Sequence, residues 1–215
     1  MKNETKAILD TLLDTRPALK TCGEDIERAF ALIAGSFRNG GKLLACGNGG
    51  SAADAEHIVG ELMKGFKLPR PISPADREKL TGLFGPDGEY LAARLQRALP
   101  AISLAGHCAL STAFANDVAA DLCFAQQVYG FARPGDTLLC ISTSGNAANV
   151  AYAAMTAKSL GAGTVALTGE GGGRLMGLCD VTIRVPAKET YLVQELHLPV
   201  YHALCAMLEQ EFFGC

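Results

Sequence analysis

The stretch KLLACGNGGSAADAEHIVGEL, residues 42–62, carries the pattern that decides the fold. A short apolar run at 42–46 passes through a glycine-rich turn into a segment with helical spacing, which predicts a β-strand followed directly by an α-helix. Glycines permit a tight turn, and the first N–H groups of a helix are free to bind an anion. The turn is therefore suited to phosphate, although glycine in a tight turn also has a purely conformational explanation.

Similar patterns recur along the rest of the chain and predict strands that alternate with helices. The predicted strands are 42–46, 101–105, 136–142, 164–168 and 181–185. The predicted helices are 3–20, 24–38, 53–64, 118–131, 147–160, 173–178 and 191–212. Short apolar strands in such an alternation indicate a parallel sheet covered by helices on both faces. Because ligands of these sheets bind beyond the carboxyl ends of the strands, we expect the site in the turns that follow them.

Composition limits the class of protein. The chain has 215 residues, of which 49% are hydrophobic and 19% charged, with a formal net charge of -3, and this favours one folded α/β domain over 1–215. Its basic residues form no stripe, so we expect no binding to nucleic acid. We also expect no membrane span and no secretory signal. The eight cysteines are scattered without a CxxC pair, which is typical of reduced thiols in a cytoplasmic protein.

A second turn, ISTSGN at 141–146, also follows a predicted strand and precedes a predicted helix. Ser142, Thr143 and Ser144 place three hydroxyls in this turn, whereas a helix N-cap needs only one. Hydroxyls can donate hydrogen bonds to phosphate oxygens, and the turn lacks the lysine of a nucleotide-binding P-loop. The pattern therefore favours a sugar phosphate over ATP as the ligand.

Six motifs occur in the order found in bacterial phosphoheptose isomerases: CGNGGSAADAEH, ELMKGFK, AND, ISTSGN, ALTGEGGG and VQELHLPVYH. The chain resembles that family, within the sugar isomerase (SIS) superfamily, over its length apart from one inserted stretch. The resemblance implies a flavodoxin-like three-layer αβα sandwich with a five-stranded parallel sheet. It implies a homotetramer in which the N-terminal helices, 1–40, contribute to subunit contacts. It also implies isomerisation of sedoheptulose 7-phosphate, an aldose–ketose interconversion, with zinc as cofactor.

The resemblance also assigns roles to the residues that match the motifs. Glu61 and His202 correspond to the catalytic acid/base pair. The residues corresponding to substrate contacts are Gly49, Gly50, Ser51, Asn116, Asp117, Ser142, Thr143, Ser144 and Gln194. Those corresponding to zinc ligands are His57, Glu61, Gln194 and His202. Retention of the glutamate separates the chain from initiator-associating proteins of chromosome replication, which resemble the isomerases but lack it.

Spacing along the helices bears on the four zinc ligands. His57 and Glu61 are one helical turn apart, so one helix can present both to a metal, although an ordinary surface pair has the same spacing. Gln194 and His202 lie about 12 Å apart along a straight helix, with an angular offset of about 80°. His197 is an alternative ligand, and a site assembled between subunits would also relieve the separation. Packed core histidines are the competing interpretation of His197 and His202.

The chain departs from the family pattern at two places. Ala147 stands where the isomerases usually carry a serine, so one phosphate-contacting hydroxyl is missing. Lys64 and Gly65 stand where they usually carry Gly-Arg, so the substrate-facing arginine is missing as well. Lys64, Lys67 or Arg70 would have to replace it, and a lysine cannot supply the bidentate fork of an arginine. A different sugar phosphate is therefore an alternative substrate.

The inserted stretch, 68–99, follows the expected catalytic helix. Ser73 before Pro74 predicts a helix start, GPDG at 85–88 predicts a turn, and a short helix is expected near the end of the stretch. The leucines whose helical spacing favours docking onto another surface are Leu91, Leu95 and Leu99. We interpret the segment either as a lid over the site or as a surface excursion or oligomer contact.

Two classes of function are consistent with this sequence. An isomerase would use Glu61 to abstract a proton next to a carbonyl and His202 to move a proton at the sugar oxygens, through an enediol. A metal would stabilise the charge that develops on those oxygens. A regulatory or assembly protein that binds a sugar phosphate would keep the fold and the phosphate turns without turnover. Retention of all four expected zinc ligands favours the enzyme.

Overall fold

A parallel five-stranded sheet with the order β2-β1-β3-β4-β5 forms the centre of the structure, a computed structural model that describes residues 1–214. The strands are β1 Leu43–Gly47, β2 Ala101–Ser103, β3 Thr137–Ile141, β4 Gly163–Thr168 and β5 Val181–Arg184. The helices are α1 Asn3–Thr15, α2 Gly23–Arg38, α3 Gly50–Met63, α4 Pro74–Phe84, α5 Pro86–Arg94, α6 Cys108–Phe114, α7 Cys123–Phe131, α8 Ala148–Ser159 and α9 Thr190–Phe213. The predicted α/β class and its five parallel strands are confirmed.

The two central strands show why the sheet is buried on both faces. β1 reads LLACG and β3 reads TLLCI, and every residue of both strands is buried. Side chains alternate between two hydrophobic cores. One core lies between the sheet and α1, α2, α3 and α9, and the other lies between the sheet and α7 and α8. This is the three-layer arrangement predicted for the chain.

Three predicted helices differ from the structure, and the one predicted at 173–178 is a 3₁₀ turn, Gly173–Gly177. The helix predicted at 3–20 ends at Thr15, because Pro17 disfavours a helical conformation in the residue before it, and a 3₁₀ turn, Pro17–Cys22, follows. The helix predicted at 118–131 is interrupted at Ala119, which has an extended backbone with φ -161° and ψ 123°. Only the second part of this predicted helix is observed, as α7. The segment before it comprises α6, a π-helical turn and a 3₁₀ turn.

The strand order reverses between β1 and β3, which pair with each other while the chain visits β2 between them. Such a reversal is the topological switch point at which open α/β sheets bind their ligands. The turns that follow β1 and β3 therefore open into the same crevice. Gly49 makes the first of these turns possible, because its φ of 55° lies in the left-handed region that favours glycine.

The inserted stretch forms a hairpin of two helices, α4 and α5, that pack against each other. Ser73 caps α4 as predicted, since its hydroxyl accepts a hydrogen bond from the Asp76 N–H at 3.1 Å. The turn predicted at 85–88 is shorter than expected: Gly85 alone separates the helices, because Pro86 already begins α5. The helix start predicted at Ser73 and the short helix predicted near the end of the stretch correspond to α4 and α5.

Most of this hairpin lies outside the core. α4 buries none of its residues. Of the three leucines that were expected to dock, Leu99 is buried, whereas Leu91 and Leu95 are 39% and 49% exposed. The hairpin is closed at its base, where the Arg97 N–H donates to the Arg70 carbonyl at 2.7 Å. Within residues 1–214, no helix is long and apolar enough to span a membrane.

Candidate active site

A cavity of about 380 Å³ lies at the switch point, where the turns after β1 and β3 meet the start of α9. The predicted substrate contacts that line it are Gly49, Gly50, Ser51, Ser142, Thr143, Ser144 and Gln194. Ala147, where the expected serine is missing, lies in the same wall. Sequence reasoning missed Asn48 and Thr190, two polar residues that also line the cavity. Their positions in the turn after β1 and at the start of α9 are the signal that could have identified them.

A backbone hydrogen bond fixes the conformation of the turn after β3. The Gly145 N–H donates to the Ser142 carbonyl at 3.0 Å, with Gly145 in a left-handed conformation at φ 67°. Among the hydrogen bonds of residues 1–214, the hydroxyls of Ser142 and Thr143 take part in none, and the Ser144 hydroxyl accepts one from the Asn146 N–H at 3.2 Å. Three hydroxyl protons thus remain available to donate to a ligand in the cavity.

Two side-chain hydrogen bonds join the turn after β1 to the start of α8 across the crevice. Asn48, in the turn after β1, and Asn149, at the start of α8, exchange amide hydrogen bonds at 2.9 Å. Gln194 extends from α9 towards Gly50, and a Cβ on Gly50 would collide with the Gln194 amide nitrogen. Glycine at position 50 therefore lets the amide group of Gln194 approach the start of α3.

Further along α3, a group of titratable side chains faces α9. Nε2 of His57 lies 3.2 Å from Oε1 of Glu61, and Nδ1 of His57 lies 3.1 Å from the Tyr201 hydroxyl. The ring centroid of His202 is 5.0 Å from that of His57 and 5.0 Å from that of Tyr201. Glu61 and His202, the expected catalytic pair, thus both lie next to His57.

Burial and nearby charges affect Glu61 and His202 differently. Glu61 is largely buried, and its second oxygen, Oε2, lies 3.1 Å from Nζ of Lys64. Burial lowers the pKa of His202, and the charge of His57 lowers it further, against the opposing effect of Glu61. His202 is therefore a neutral imidazole at pH 7, able to accept a proton. Its Nε2 atom is buried and has no hydrogen-bond partner among the described residues.

Tyr201 and Asp54 also belong to this group and were not singled out from the sequence. Burial raises the pKa of Asp54, while a hydrogen bond with Tyr201 and the charge of His57 oppose the shift. Burial and the nearby Asp54 carboxylate raise the pKa of Tyr201, so its hydroxyl stays protonated and can orient the His57 ring. The available signals were the positions of Tyr201 next to His202 and of Asp54 three residues before His57.

The four expected zinc ligands are only partly gathered. Nε2 of His57 and Oε1 of Glu61 are 3.2 Å apart, a spacing at which both can bind one zinc ion with bonds of about 2.0–2.2 Å. Gln194, however, lies beside Gly50, and His57 is seven residues or about 10 Å further along α3. Within residues 1–214, no three His, Cys, Asp or Glu side chains converge on a point suited to a metal ion.

His197, the alternative ligand, is a core histidine in this structure. It is completely buried in α9, and neither ring nitrogen has a hydrogen-bond partner among the described residues. Burial lowers its pKa to about 4, so the ring is neutral. Its side chain therefore belongs to the core that α9 forms with the sheet.

The suggestion that Arg70 replaces the missing substrate arginine is wrong. Arg70 is 1% exposed, and its Nε donates to Oε1 of Glu209 at 2.8 Å. Its terminal nitrogens donate to the carbonyls of Leu62 and Glu61. Since the guanidinium is committed to these groups in the interior, it cannot reach a sugar. Lys64, which contacts Glu61, is the cation closest to the expected catalytic centre among the three residues considered.

Asn116 and Asp117 lie outside the cavity of their own chain. Both are exposed in the π-helical turn Ala115–Ala119, where Nδ2 of Asn116 donates to Oδ1 of Asp117 at 2.9 Å. The structure therefore places them on the surface, apart from the other seven expected substrate contacts.

Glycine- and hydroxyl-lined turns at the switch point of a parallel sheet define a class of α/β domains suited to phosphorylated ligands. Residues 8–76 and 91–169 match the SIS domain family. The chain is 37% identical to the phosphoheptose isomerase of Rhodospirillum rubrum over 209 residues, 97% of either chain. The chain thus belongs to the phosphoheptose isomerase family of SIS-domain proteins. The gap in the domain match falls in the α4–α5 hairpin.

Solved structures agree with this assignment. The phosphoheptose isomerase of Neisseria gonorrhoeae gives a TM-score of 0.72 at 32% identity, covering 96% of this chain and 94% of that one. The phosphoheptose isomerase of Francisella tularensis gives 0.72 at 28% identity, covering 98% of this chain and 100% of that one. The family likeness therefore extends over nearly the whole chain.

Proposed function

We propose that the protein is an aldose–ketose isomerase that converts sedoheptulose 7-phosphate into D-glycero-D-manno-heptose 7-phosphate. The observation that carries this proposal is the position of Glu61, which contacts His57 on α3, beside His202 on α9. A base and a neutral imidazole lie on α3 and α9, the two helices whose first residues line the hydroxyl-rich cavity. Proton transfer in a sugar phosphate requires these groups. Family membership supports the same reaction.

Substrate binding would begin at the phosphate. The hydroxyls of Ser142, Thr143 and Ser144 would donate to its oxygens, together with backbone N–H groups at the start of α3. The Gln194 amide, which approaches Gly50, would orient the sugar next to the phosphate. Binding at these turns would direct the carbonyl end of the sugar towards α3 and α9, where Glu61 and His202 lie.

The reaction then needs two proton movements. The Glu61 carboxylate would take the proton from the carbon next to the carbonyl, which gives an enediol, and would return it at the neighbouring carbon. His202, neutral because its pKa is lowered, would move a proton between the two sugar oxygens. Tyr201 would keep the ring of His57 in place through the contact at 3.1 Å.

Zinc is part of the proposal. His57, Glu61, His202 and Gln194 would hold the ion, and when bound it would stabilise negative charge on the sugar oxygens. Because a zinc-bound carboxylate or imidazole is a poor proton carrier, either the ligation of Glu61 and His202 would loosen during turnover or the two roles would be divided. The histidine and glutamate donors suit zinc, and the buried Nε2 of His202 without a partner supports the assignment. The amide oxygen of Gln194 is an unusual zinc donor and favours an exchangeable ion. Metal analysis of the purified protein, repeated for His57→Ala, tests it: zinc should be retained by the wild type and lost from the variant.

We further propose a cytoplasmic homotetramer with active sites at subunit interfaces. Support comes from the incomplete convergence of the zinc ligands within one chain and from the exposed position of Asn116 and Asp117. A neighbouring subunit could bring such residues to a cavity, because closed symmetry repeats each contact. Sedimentation equilibrium tests this: a monomer with full activity would contradict the shared site.

The isomerase activity is tested by following aldose formation from sedoheptulose 7-phosphate. Glu61→Gln should lower kcat by about 10²–10⁴-fold, since it removes the base and keeps its shape. Glu56→Gln on the same helix is the matched control and should keep wild-type activity. Turnover of another sugar phosphate alone would indicate altered specificity. Binding of sugar phosphates without any turnover would favour the regulatory function.

A further inference from the structure

Three thiols meet on the face of the sheet that carries α7 and α8. Cys46 of β1 and Cys140 of β3 are register partners on adjacent parallel strands, and both are completely buried. Cys179 packs against the core that contains both of these thiols, next to Cys140. Cys179 lies in the short segment between the 3₁₀ turn Gly173–Gly177 and β5. We call Cys46, Cys140 and Cys179 the thiol cluster.

Cys179 is the end of the thiol cluster that faces solvent. It is partly exposed and lines a surface cleft together with Asp180 and Arg184. The other two thiols lie behind it in the core between the sheet and α8. A small oxidant in solution therefore meets the thiol cluster at Cys179.

The surroundings of Cys179 and Cys140 shift the pKa values of the two thiols in opposite directions. Hydrogen bonding from Cys140 lowers the pKa of Cys179, and the Thr164 hydroxyl and the Lys158 charge act in the same direction, against burial and Asp180. The contact with Cys179 raises the pKa of Cys140 well above its ordinary value. At a given pH, a larger fraction of Cys179 than of Cys140 is therefore in the thiolate form.

We propose that Cys179 and Cys140 form a hydroperoxide-reactive dithiol on the opposite face of the sheet from the proposed catalytic residues. The Cys179 thiolate attacks one peroxide oxygen, the O–O bond breaks, and the products are a Cys179 sulfenic acid and hydroxide, or an alkoxide from an organic peroxide. The Cys140 thiol then attacks the sulfenic sulfur. The S–S bond forms, and the sulfenic oxygen leaves as water with the Cys140 proton. The two thiols together lose two electrons to the peroxide.

Both cysteines of the dithiol are connected to the turn after β3, which is the proposed phosphate site. Cys140 lies two residues before Ser142, and the segment that leads to Cys179 holds the turn through the Leu175 N–H, which donates to the Gly145 carbonyl at 3.0 Å. Closing a bond of about 2.05 Å requires the two sulfurs to approach. Since β3 is fixed within the sheet, the segment before β5 moves and strains this hydrogen bond. Oxidation should therefore weaken phosphate binding, a consequence that rests on the proposed function.

Peptide mapping without reductant, after treatment with hydrogen peroxide, tests the proposal. The wild type should give a linked peptide that contains Cys140 and Cys179, and dithiothreitol should restore both thiols. Cys179→Ser should abolish the link, and Cys140→Ala should leave a Cys179 sulfenic acid that a dimedone-type probe traps. Cys108→Ser, which removes an exposed thiol outside the thiol cluster, should leave the yield unchanged.

Three results would overturn the dithiol: a link between Cys46 and Cys140, disulfides only between chains, or oxidation of Cys179 no faster than that of Cys108. Calorimetric titration with inorganic phosphate tests the coupling, and the oxidised wild type should bind several-fold more weakly than the reduced protein. Equal affinities would overturn the coupling. Failure of the reduced protein to bind phosphate would instead count against the proposed function, and the peptide map does not depend on it.

Discussion

Nε of Arg70 donates to Oε1 of Glu209 at 2.8 Å in the interior, where both side chains are 1% exposed. The same carboxylate accepts hydrogen bonds from the three backbone N–H groups of residues 66–68. The terminal nitrogens of Arg70 donate to the carbonyls of Leu62 and Glu61 at the end of α3. The ion pair therefore fastens the helix that carries Glu61 to α9, the helix that carries the other half of the proposed catalytic pair.

Removing this arginine should be strongly destabilising. Arg70→Met leaves the Glu209 charge buried without its cation, which costs about 3–5 kcal/mol in free energy of unfolding. Arg77→Met on exposed α4 is the matched control, with an expected change within about 0.5 kcal/mol. Urea unfolding at neutral pH measures both. A loss below about 1 kcal/mol for Arg70→Met would show that the ion pair does not hold the helices together.

His197 should make the protein sensitive to mild acid. Burial lowers its pKa from 6.5 to about 4, so between these values the unfolded chain binds a proton that the folded chain does not. The free energy of unfolding should be highest above pH 6.5 and fall by roughly 3 kcal/mol from this residue as the pH drops to about 4.

The measurement is urea unfolding between pH 7 and pH 4.5 for the wild type and His197→Leu. The variant should show a shallower decline, because it has no buried imidazole to protonate. His202, whose pKa is also lowered, contributes in the same direction in both proteins. Identical pH dependence in the two proteins would rule out His197 as the source.

Much of this architecture is readable from the sequence, because the short apolar runs of β1 and β3 are typical of buried strands and the glycine and hydroxyl turns follow them directly. The roles of Arg70 and His197 cannot be read from the sequence, because burial of a polar side chain depends on which helix packs over it. The pairing of Arg70 with Glu209 joins residues 139 positions apart, and no local pattern reports such a contact. Tyr201 was missed for the same reason: its partners, His57 and Asp54, lie on α3.

The turn after β3 should depend on Gly145 more than the turn after β1 depends on Gly49. Both glycines have positive φ, so alanine at either position should cost at least about 1–2 kcal/mol in backbone strain. At Gly145 a Cβ would also collide with the backbone of Gly172, whereas at Gly49 the space is open. Phosphate titration should show a larger loss of affinity for Gly145→Ala. Equal losses would mean that the contact with Gly172 does not shape the turn.

Ala147→Ser should restore a feature that the family usually has. Ala147 lines the cavity and occupies the N-cap of α8, where no side chain caps the helix. A serine would supply that cap, worth about 0.5–2 kcal/mol, and a hydroxyl directed towards the phosphate site. We expect higher stability to urea and tighter phosphate binding, with Ala147→Gly as the control that adds no hydroxyl. Weaker phosphate binding in Ala147→Ser would place the phosphate elsewhere in the cavity.

The central claim is that Glu61 moves a proton between neighbouring carbons of a phosphorylated sugar. NMR of sedoheptulose 7-phosphate incubated with the protein in heavy water tests it most directly. The account predicts deuterium at carbon 1 of the ketose and carbon 2 of the aldose, with exchange lost in Glu61→Gln and kept in Glu56→Gln. Undiminished aldose formation and exchange in Glu61→Gln would contradict it.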